Sequence, residues 1–455
     1  MLVSNLMFGE KMLSAFARTK GKMRIGVLFA GGPAPSANQL LFAAGLRGRD
    51  WGVELWGFHN GYEKLKGTGP DQAPLFRKNN RNGNEEKLKS ILTSDQAISD
   101  LSEKPGLIIG SSRANPADKI KSANDMLNPA NTEEMEKMIY LFRELRIGGL
   151  ISIGGDDTMR SANLLQMKAW QMMEAGLIKK NSFGVVHLPK TIDKDYQGID
   201  YTFGFMSAAD FCGQMIRGFR NDAKASATQK QPVVHVVEVM GRDAGWLTAA
   251  ASVIGESTLA FVPEDYKAGE VSIDMIAKKC VQAMLERRKQ HKHFSVFTLA
   301  EGIAYRFAPN DPIIPKDLPK DNAGNPDLSK LKLGEVLSAA IDAEFKRQIA
   351  TTGKAEDKEV KLKVMGQKAG YVARQIEPTS FDILLCRTLG VAGVDAVLSG
   401  NFGNMVSIRG VLEPTLVPFK DVIDPITLKT KKNLMQPGKG LHALMRAMEQ
   451  SYPVI

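Results

Sequence analysis

The sequence predicts an α/β fold with mainly parallel sheets covered by helices on both faces. Three observations carry this. Short apolar, β-branched runs alternate with helix-like segments along the 455 residues, an order that builds a parallel sheet. The runs are apolar through their length, as strands buried on both faces are. Each run also ends in a polar cluster, at the carboxyl end where such sheets collect their ligand residues.

The elements follow in order. "RIGVLFA" (24–30) reads as a buried strand, followed by the turn "GGPAPSAN" and a helix from Gln39 to Leu46. "PGLIIGSSR" (105–113) reads as a second strand ending in glycine and small polar residues. "TEEMEKMIYLFRELR" (132–146) is an amphipathic helix, with acids in its first turn and Arg143 and Arg146 in its last, as the helix dipole favours. It feeds a strand and turn in "IGGLISIGGDDT". Further strands with a loop or helix behind them lie in "NSFGVVHLPKTIDKD" (181–195), "PVVHVVEVMGRDAGWLTAAASVI" (232–254) and "HFSVFTLAEG" (293–302). The Pro-, Asp-, Asn- and Lys-rich segment 309–331 and the charged segment 351–361 read as surface connections. The tail from 425 reads as poor in strands and helical.

Composition sets bounds. The length suffices for two domains. No apolar run approaches the ~20 residues of a membrane helix. Cys212, Cys280 and Cys386 are far apart and show no metal-ligand spacing, which points to a reducing compartment and no disulfide framework. The net charge of +10 suits anionic partners, or simply a solvated basic surface. No long Lys/Arg block with interleaved aromatics is present, which argues against nucleic acid as the main partner. Residues 1–22 are poor in acids and mildly amphipathic; Glu10 and Lys11 interrupt the apolar portion and argue against a secretory signal. An N-terminal arm is expected there, or an upstream start with Met12 and Met23 as alternatives.

The chemistry-bearing clusters are individually open to two readings. Paired glycines in "FAGGPAPSAN" let backbone N–H groups approach a phosphate, or merely help a turn to pack; no Gly-Lys-Ser/Thr follows, so this is not a P-loop. In "GGDDT", a carboxylate beside a phosphate is repulsive unless a cation lies between them. Asp156 therefore suits a Mg²⁺ contact, and Asp157 would discourage a bulky polyphosphate ester, unless both only cap the following helix. "PKTIDKD" offers Lys190, Thr191, Asp193 and Asp195 within seven residues: Asp193 as a base for an attacking alcohol, Lys190 as a neutraliser of phosphate charge, or else an ordinary polar turn. Arg242 in "VMGRDAGW" can clamp a phosphate, or pair with Asp243 or Glu238. Glu301 can accept sugar hydroxyls; Tyr371 with Arg374, and Arg113 in "GSSR", are candidate phosphate ligands. Together these make a carboxylate, magnesium, base and arginine set, which is what phosphoryl transfer requires.

The order of "GGPAPSAN", "GSSR", "GGDDT", "PKTIDKD", "VVEVMGRDAGW", "EG" and "GYVAR" over about residues 23 to 408 resembles the 6-phosphofructokinases, and within them the pyrophosphate-dependent branch. ATP users of that family typically carry Gly where this chain has Asp157 and Lys190. The resemblance implies two Rossmann-like three-layer α/β/α domains, mainly parallel sheets, and an active site in the interdomain cleft. It implies an arm over 1–22, a pyrophosphate and magnesium domain over 23–205 completed by about 383–430, a fructose 6-phosphate domain over 206–382, and a helical tail over 431–455. Asp193 becomes the base that activates the sugar 1-hydroxyl, Asp156 the magnesium carboxylate, Asp157 the block to the α-phosphate of ATP, and Lys190 the holder of pyrophosphate. Gly32 contacts the donor. Thr191, Met240, Gly241, Arg242, Glu301, Tyr371 and Arg374 line the sugar phosphate site, with Arg242 also stabilising the transition state. Arg113, Ile192 and Asp195 complete the substrate-binding set.

The resemblance further implies Mg²⁺ as cofactor, fructose 6-phosphate and pyrophosphate as small-molecule partners, a cytoplasmic homodimer or homotetramer, and no membrane or nucleic-acid partner. Three positions depart from the family. The first turn reads "PSAN", placing Ser36 where the family usually has Gly. "TQKQPVVH" offers only Lys230 near the place of a cross-subunit arginine. Ile383 stands where ATP-dependent relatives carry Arg.

Overall fold

The apolar run after Met23 forms β1 (Arg24–Phe29), buried at every residue after the first. The computed structural model describes residues 24–77, 88–104, 106–308, 311, 313–315, 317–319, 326–351 and 359–449. The expected arm over 1–22, and parts of the connections expected over 309–331 and 351–361, lie outside the described residues. The chain divides into two compact units. The first takes residues 1–191, 196–204 and 377–432; the second takes 192–195, 205–376 and 433–455.

The first unit is built on a seven-stranded sheet. Its other strands are β2 (Glu54–Phe58), β3 (Lys89–Ile91), β4 (Ile147–Gly154), β5 (Val185–Pro189), β10 (Asn404–Arg409) and β11 (Glu413–Pro418), in the order β11-β10-β5-β4-β1-β2-β3. β2, β1, β4, β5 and β10 run parallel; β3 and β11 are antiparallel additions at the two edges. β1, β4 and β5 are buried almost without interruption, which requires helices on both faces. The chain leaves β1 toward β2 and later returns to β4 on the other side, so the strand order reverses between β1 and β4. Open α/β sheets bind ligands at the carboxyl ends of such a pair.

The first-unit helices used below are α1 (Ala37–Asp50), α2 (Asp95–Glu103), α3 (Pro129–Glu144) and α4 (Asp156–Glu174). α3 starts where sequence chemistry asks: the Asn128 side chain accepts from Ala130 N, and Pro129 takes the first helical position, where no N–H is needed. The second-unit helices are α5 (Phe205–Ser226), α6 (Trp246–Gly255), α7 (Ile273–Lys289) and α8 (Leu333–Thr351). α9 (Ser380–Leu398) returns to the first unit, and α10 (Gly440–Met448) closes the second. α9 lies against α1, fastened by the guanidinium of Arg47, which donates to both oxygens of the buried Asp395 at 2.7 and 2.9 Å. Removing one partner of such a buried pair strands the other charge, at a cost of about 3–5 kcal/mol.

The second unit carries a four-stranded, all-parallel sheet in the order β7-β8-β6-β9, from β6 (Val233–Val239), β7 (Leu259–Phe261), β8 (Phe294–Ala300) and β9 (Lys363–Ala369). α7 and α8 supply most of its larger apolar core, and Met445 of α10 joins Ala249, Val262 and Met435 in a smaller one.

Two elements differ from the sequence expectation. The segment 106–113 is a turn rather than a strand: Gly110 adopts a left-handed backbone (φ 65°), its N–H donates to Leu107 O, and Ser112 makes only an isolated bridge to Ala30. β2 already fills that edge of β1, so no ladder is open to the segment, and the buried Ile109 is what gave it a strand-like look. In the described part of the tail no strand is present, as expected, but helix is confined to α10; from 425 to 439 the chain makes turns and single bridges such as Tyr196 with Lys432.

Candidate functional site

In the first unit the candidate residues gather on the turns after β1, β4 and β5. β1 and β4 are aligned through Ala30 N–H, which donates to Ile153 O at 2.9 Å. The chain then turns at Gly31 in the left-handed region (φ 82°), a conformation that favours glycine. Lys190, at the end of β5, is buried and donates through Nζ to Gly32 O; its own N–H donates to Gly154 O at 2.9 Å. A Cβ built on Gly31 would sit 3.7 Å from that Nζ. The structure thus brings Lys190, Gly31 and Gly32 together and ties them to β4.

Gly155 caps α4, and Asp156 and Asp157 are its first two residues. Asp156 Oδ1 accepts from Asp157 N at 2.8 Å, and Oδ2 accepts from Lys432 Nζ at 2.9 Å. The half-buried Asp156 carboxylate therefore already faces one cation, at a helix end whose free N–H groups favour anions. Asp157 is exposed; burial pulls the Arg160 guanidinium one turn along below its ordinary pKa, and the Asp157 charge opposes that pull only in part. Thr191 is fixed by a two-way bond with Thr202: its N–H donates to Oγ1 at 3.0 Å, and that hydroxyl donates back to Thr191 O at 3.1 Å. Arg113 is exposed beside the Ser112 bridge.

The second unit gathers the rest at the carboxyl ends of β6, β8 and β9, where Val239 is in register with Ala300 and Ala369. Met240 and Ile192 are buried. Glu301 Oε1 accepts a long 3.5 Å bond from Gly241 N. Burial, the charge of Asp193 and that of Glu238 push the Glu301 carboxyl up to about 7, against the opposing pull of Lys368 and the Gly241 N–H. Glu301 is thus half-neutral near pH 7 and can give or accept a hydrogen bond. Arg242 Nε and Asp243 Oδ2 approach to 3.4 Å, and the guanidinium of Arg374 lies 4.8 Å from the Tyr371 ring centre. Close approach dictates Gly302: a Cβ there would meet Arg242 O at 2.1 Å.

Sequence reasoning counts Asp195 in the substrate-binding set and takes Asp243 and Glu238 only as possible partners of Arg242; Asn433 it passes over. Asp195 and Asp243 bring carboxylate oxygens within 4.8 Å of each other. Glu238 is buried and held by Lys368 Nζ at 2.7 Å and Gly334 N–H at 3.2 Å. Asn433 and Trp246 touch the Asp193 and Arg242 loops, as set out below. A signal was present for Asp243, which adjoins Arg242 in "GRDAG", but not for Asn433, whose role depends on backbone partners far away in sequence. Asp156 in the first unit and the Asp195 and Asp243 pair in the second offer only carboxylate oxygens, a donor set that fits Mg²⁺ rather than a softer metal.

Residues 24–397 match the sequence profile of the phosphofructokinase family. The chain belongs to the phosphofructokinase family. It is 28% identical, over 416 residues, to the pyrophosphate–fructose 6-phosphate 1-phosphotransferase of Thermotoga maritima, covering 90% of this chain and 86% of that one. It is also 28% identical to the ATP-dependent 6-phosphofructokinase of Propionibacterium freudenreichii subsp. shermanii, covering 89% of this chain and 94% of that one. Among solved structures, the pyrophosphate-dependent phosphofructokinase from Nitrosospira multiformis has the same fold, with a TM-score of 0.63 at 17% identity over 91% of this chain and 86% of that one. Like other phosphofructokinases, this one is an α/β protein with mostly parallel sheets. No described helix is long and apolar enough to cross a membrane.

Proposed function

We propose that this phosphofructokinase moves a phosphoryl group reversibly between pyrophosphate and the 1-hydroxyl of fructose 6-phosphate, with Mg²⁺. The observation that carries the choice of donor is the pair at the first unit's turns: an exposed Asp157 on the first turn of α4, and a buried Lys190 against Gly31 and Gly32. A second carboxylate there opposes the longer, charged chain of ATP. A buried ammonium suits the compact, highly charged pyrophosphate. The relative from Thermotoga maritima, named for pyrophosphate, supports the same reading.

In this reading the first unit holds the donor and the second holds the sugar phosphate. Asp156 would hold Mg²⁺, which when bound neutralises pyrophosphate oxygens. Gly32 and Lys190 orient the donor. Asp193 takes the proton of the sugar 1-hydroxyl; that oxygen forms the new bond to phosphorus as the bond to the bridging oxygen breaks and phosphate leaves. Arg242 and Lys190 offset charge on the transferring oxygens, and Arg113 serves as a further phosphate ligand. Thr191, Ile192, Asp195, Met240, Gly241 and Glu301 line the sugar, and Tyr371 with Arg374 takes its 6-phosphate. The active form is a homo-oligomer, as the family resemblance implies.

The test is a donor comparison on purified protein with Mg²⁺ and fructose 6-phosphate, following fructose 1,6-bisphosphate. Turnover with pyrophosphate and not with ATP is expected. Turnover with ATP alone would keep the family and overturn the donor, as the relative from Propionibacterium freudenreichii allows. Turnover with neither would overturn the enzymatic reading.

A further inference from the structure

The loop that carries Asp193 is flanked on both sides by first-unit residues, yet Ile192–Asp195 belongs to the second unit. Its backbone is unusual, because Lys194 is a non-glycine residue in the left-handed region (φ 53°). Such a conformation persists only where its surroundings over-determine it. Asn433 supplies two of the bonds that hold it. The Asn433 side-chain Nδ2 donates to Lys194 O at 3.0 Å, and the Asn433 N–H donates to Asp195 O at 2.9 Å. Two successive carbonyls just beyond Asp193 are thus gripped by a single asparagine.

The same residue reaches the Arg242 turn. Trp246 Nε1 donates to Asn433 O at 2.8 Å, and the Lys194 ammonium lies 4.8 Å from the centre of the Trp246 ring. Two residues on, Met435 N–H donates at 3.2 Å to Glu264 Oε1, and Glu264 also accepts from Gly245 N at 3.0 Å. The stretch from Asn433 to Met435 is therefore a strap bonded to both loops. One carries the base and the other the phosphate-clamping arginine.

We infer that Asn433 is a positioning residue for the phosphoryl transfer: by fixing the carbonyls of Lys194 and Asp195 and bonding Trp246, it holds Asp193 and Arg242 in their working register. This rests on the reading of Asp193 as the base. Asn433 touches no substrate in this scheme, and its effect passes through the two loops. Displacement of a reacting group by about 1 Å is enough to lower turnover by about a hundredfold.

The experiment uses the full chain, fructose 6-phosphate, and whichever donor supports turnover. Asn433→Ala should lower kcat by about ten- to a hundredfold, leave the KM for the donor within about twofold, and leave the thermal midpoint within a few degrees of the parent. Trp246→Phe removes one bond to the strap and should lower kcat in the same way by a smaller factor, which guards against an Asn433 variant that fails to fold. The decisive readout is the double variant. In an Asp193→Ser background, Asn433→Ala should cost clearly less than it does in the parent, because the part of its effect that runs through the base is already gone and only the part through the Arg242 turn remains. A kcat within twofold of the parent for Asn433→Ala, or fully multiplicative losses in the double variant, would overturn the role of the strap alone. Parent-like turnover in Asp193→Ser itself would overturn the assignment of the base, and the strap's role with it.

Discussion

At Asp157 the chain places an exposed carboxylate one residue after the one that faces Lys432. A purely structural aspartate at this position would stabilise the start of α4 by about 0.3–1 kcal/mol through the helix dipole, and nothing more. If it also opposes a long donor, Asp157→Gly should raise the ratio of ATP to pyrophosphate turnover by roughly tenfold or more, beyond any change in stability. Steady-state rates with each donor check this, and an unchanged ratio would leave Asp157 as a capping residue. Glu301 makes a second residue-level prediction. Its folded carboxyl titrates at about 7, above the ordinary value of 4.5. The folded state therefore binds more protons than the unfolded chain between those values. The stability this group contributes is full below about pH 4.5 and is lost as pH rises through 7. Glu301→Gln stays neutral throughout, so its thermal midpoint should gain on the parent's between pH 5 and pH 8. A constant difference across that range would contradict the burial and the Asp193 charge as causes.

The sheet ends decide how well these residues are held. Gly302 follows β8 so closely against the Arg242 turn that an added methyl would meet the backbone oxygen of Arg242. Backbone cannot yield as a side-chain tip does. Gly302→Ala should therefore destabilise the second unit by about 1–3 kcal/mol and lower turnover through Arg242; denaturant unfolding and rates on the same sample measure both. The elements themselves were legible to different degrees. β1, β4, β5, β6 and β8 declare themselves as mainly apolar runs because they are buried on both faces. β9, "KVMGQKA", is mostly half-exposed at a sheet edge and has no such signature. β3 and β11 are antiparallel edge strands that no crossover pattern announces. The glycine and carboxylate turns after the buried strands were readable because they sit next to those strands in sequence. Lys432 and Asn433 were not, since a charged stretch reads as solvated until the fold brings Asp156, Lys194 and Asp195 to it.

Over the whole chain, the first unit is discontinuous: its sheet draws β10 and β11 from beyond the second unit's strands. β10 pairs directly with β5 and covers what would otherwise be an open edge. A chain ending before Asn404 should therefore expose the β5 edge, lose a native first unit and aggregate. Size-exclusion chromatography and circular dichroism would show this, and a monomeric truncated protein with native spectrum and cooperative melting would contradict it. The basic charge of +10 is carried by the same chain that is proposed to bind two anionic substrates, which suits their capture at low ionic strength.

That discontinuity also has a meaning in time. The second unit's strands lie together between Val233 and Ala369, so they leave the ribosome as one block, whereas β5 emerges long before its partner β10. At a synthesis rate of about 5–20 residues per second, the nascent first sheet waits on the order of ten seconds or more with that flank unpaired. During this interval the half-built sheet is the species most exposed to misassembly and most in need of a chaperone. The last-made of the described strands, far in sequence from the turns after β1, β4 and β5, end that vulnerable interval.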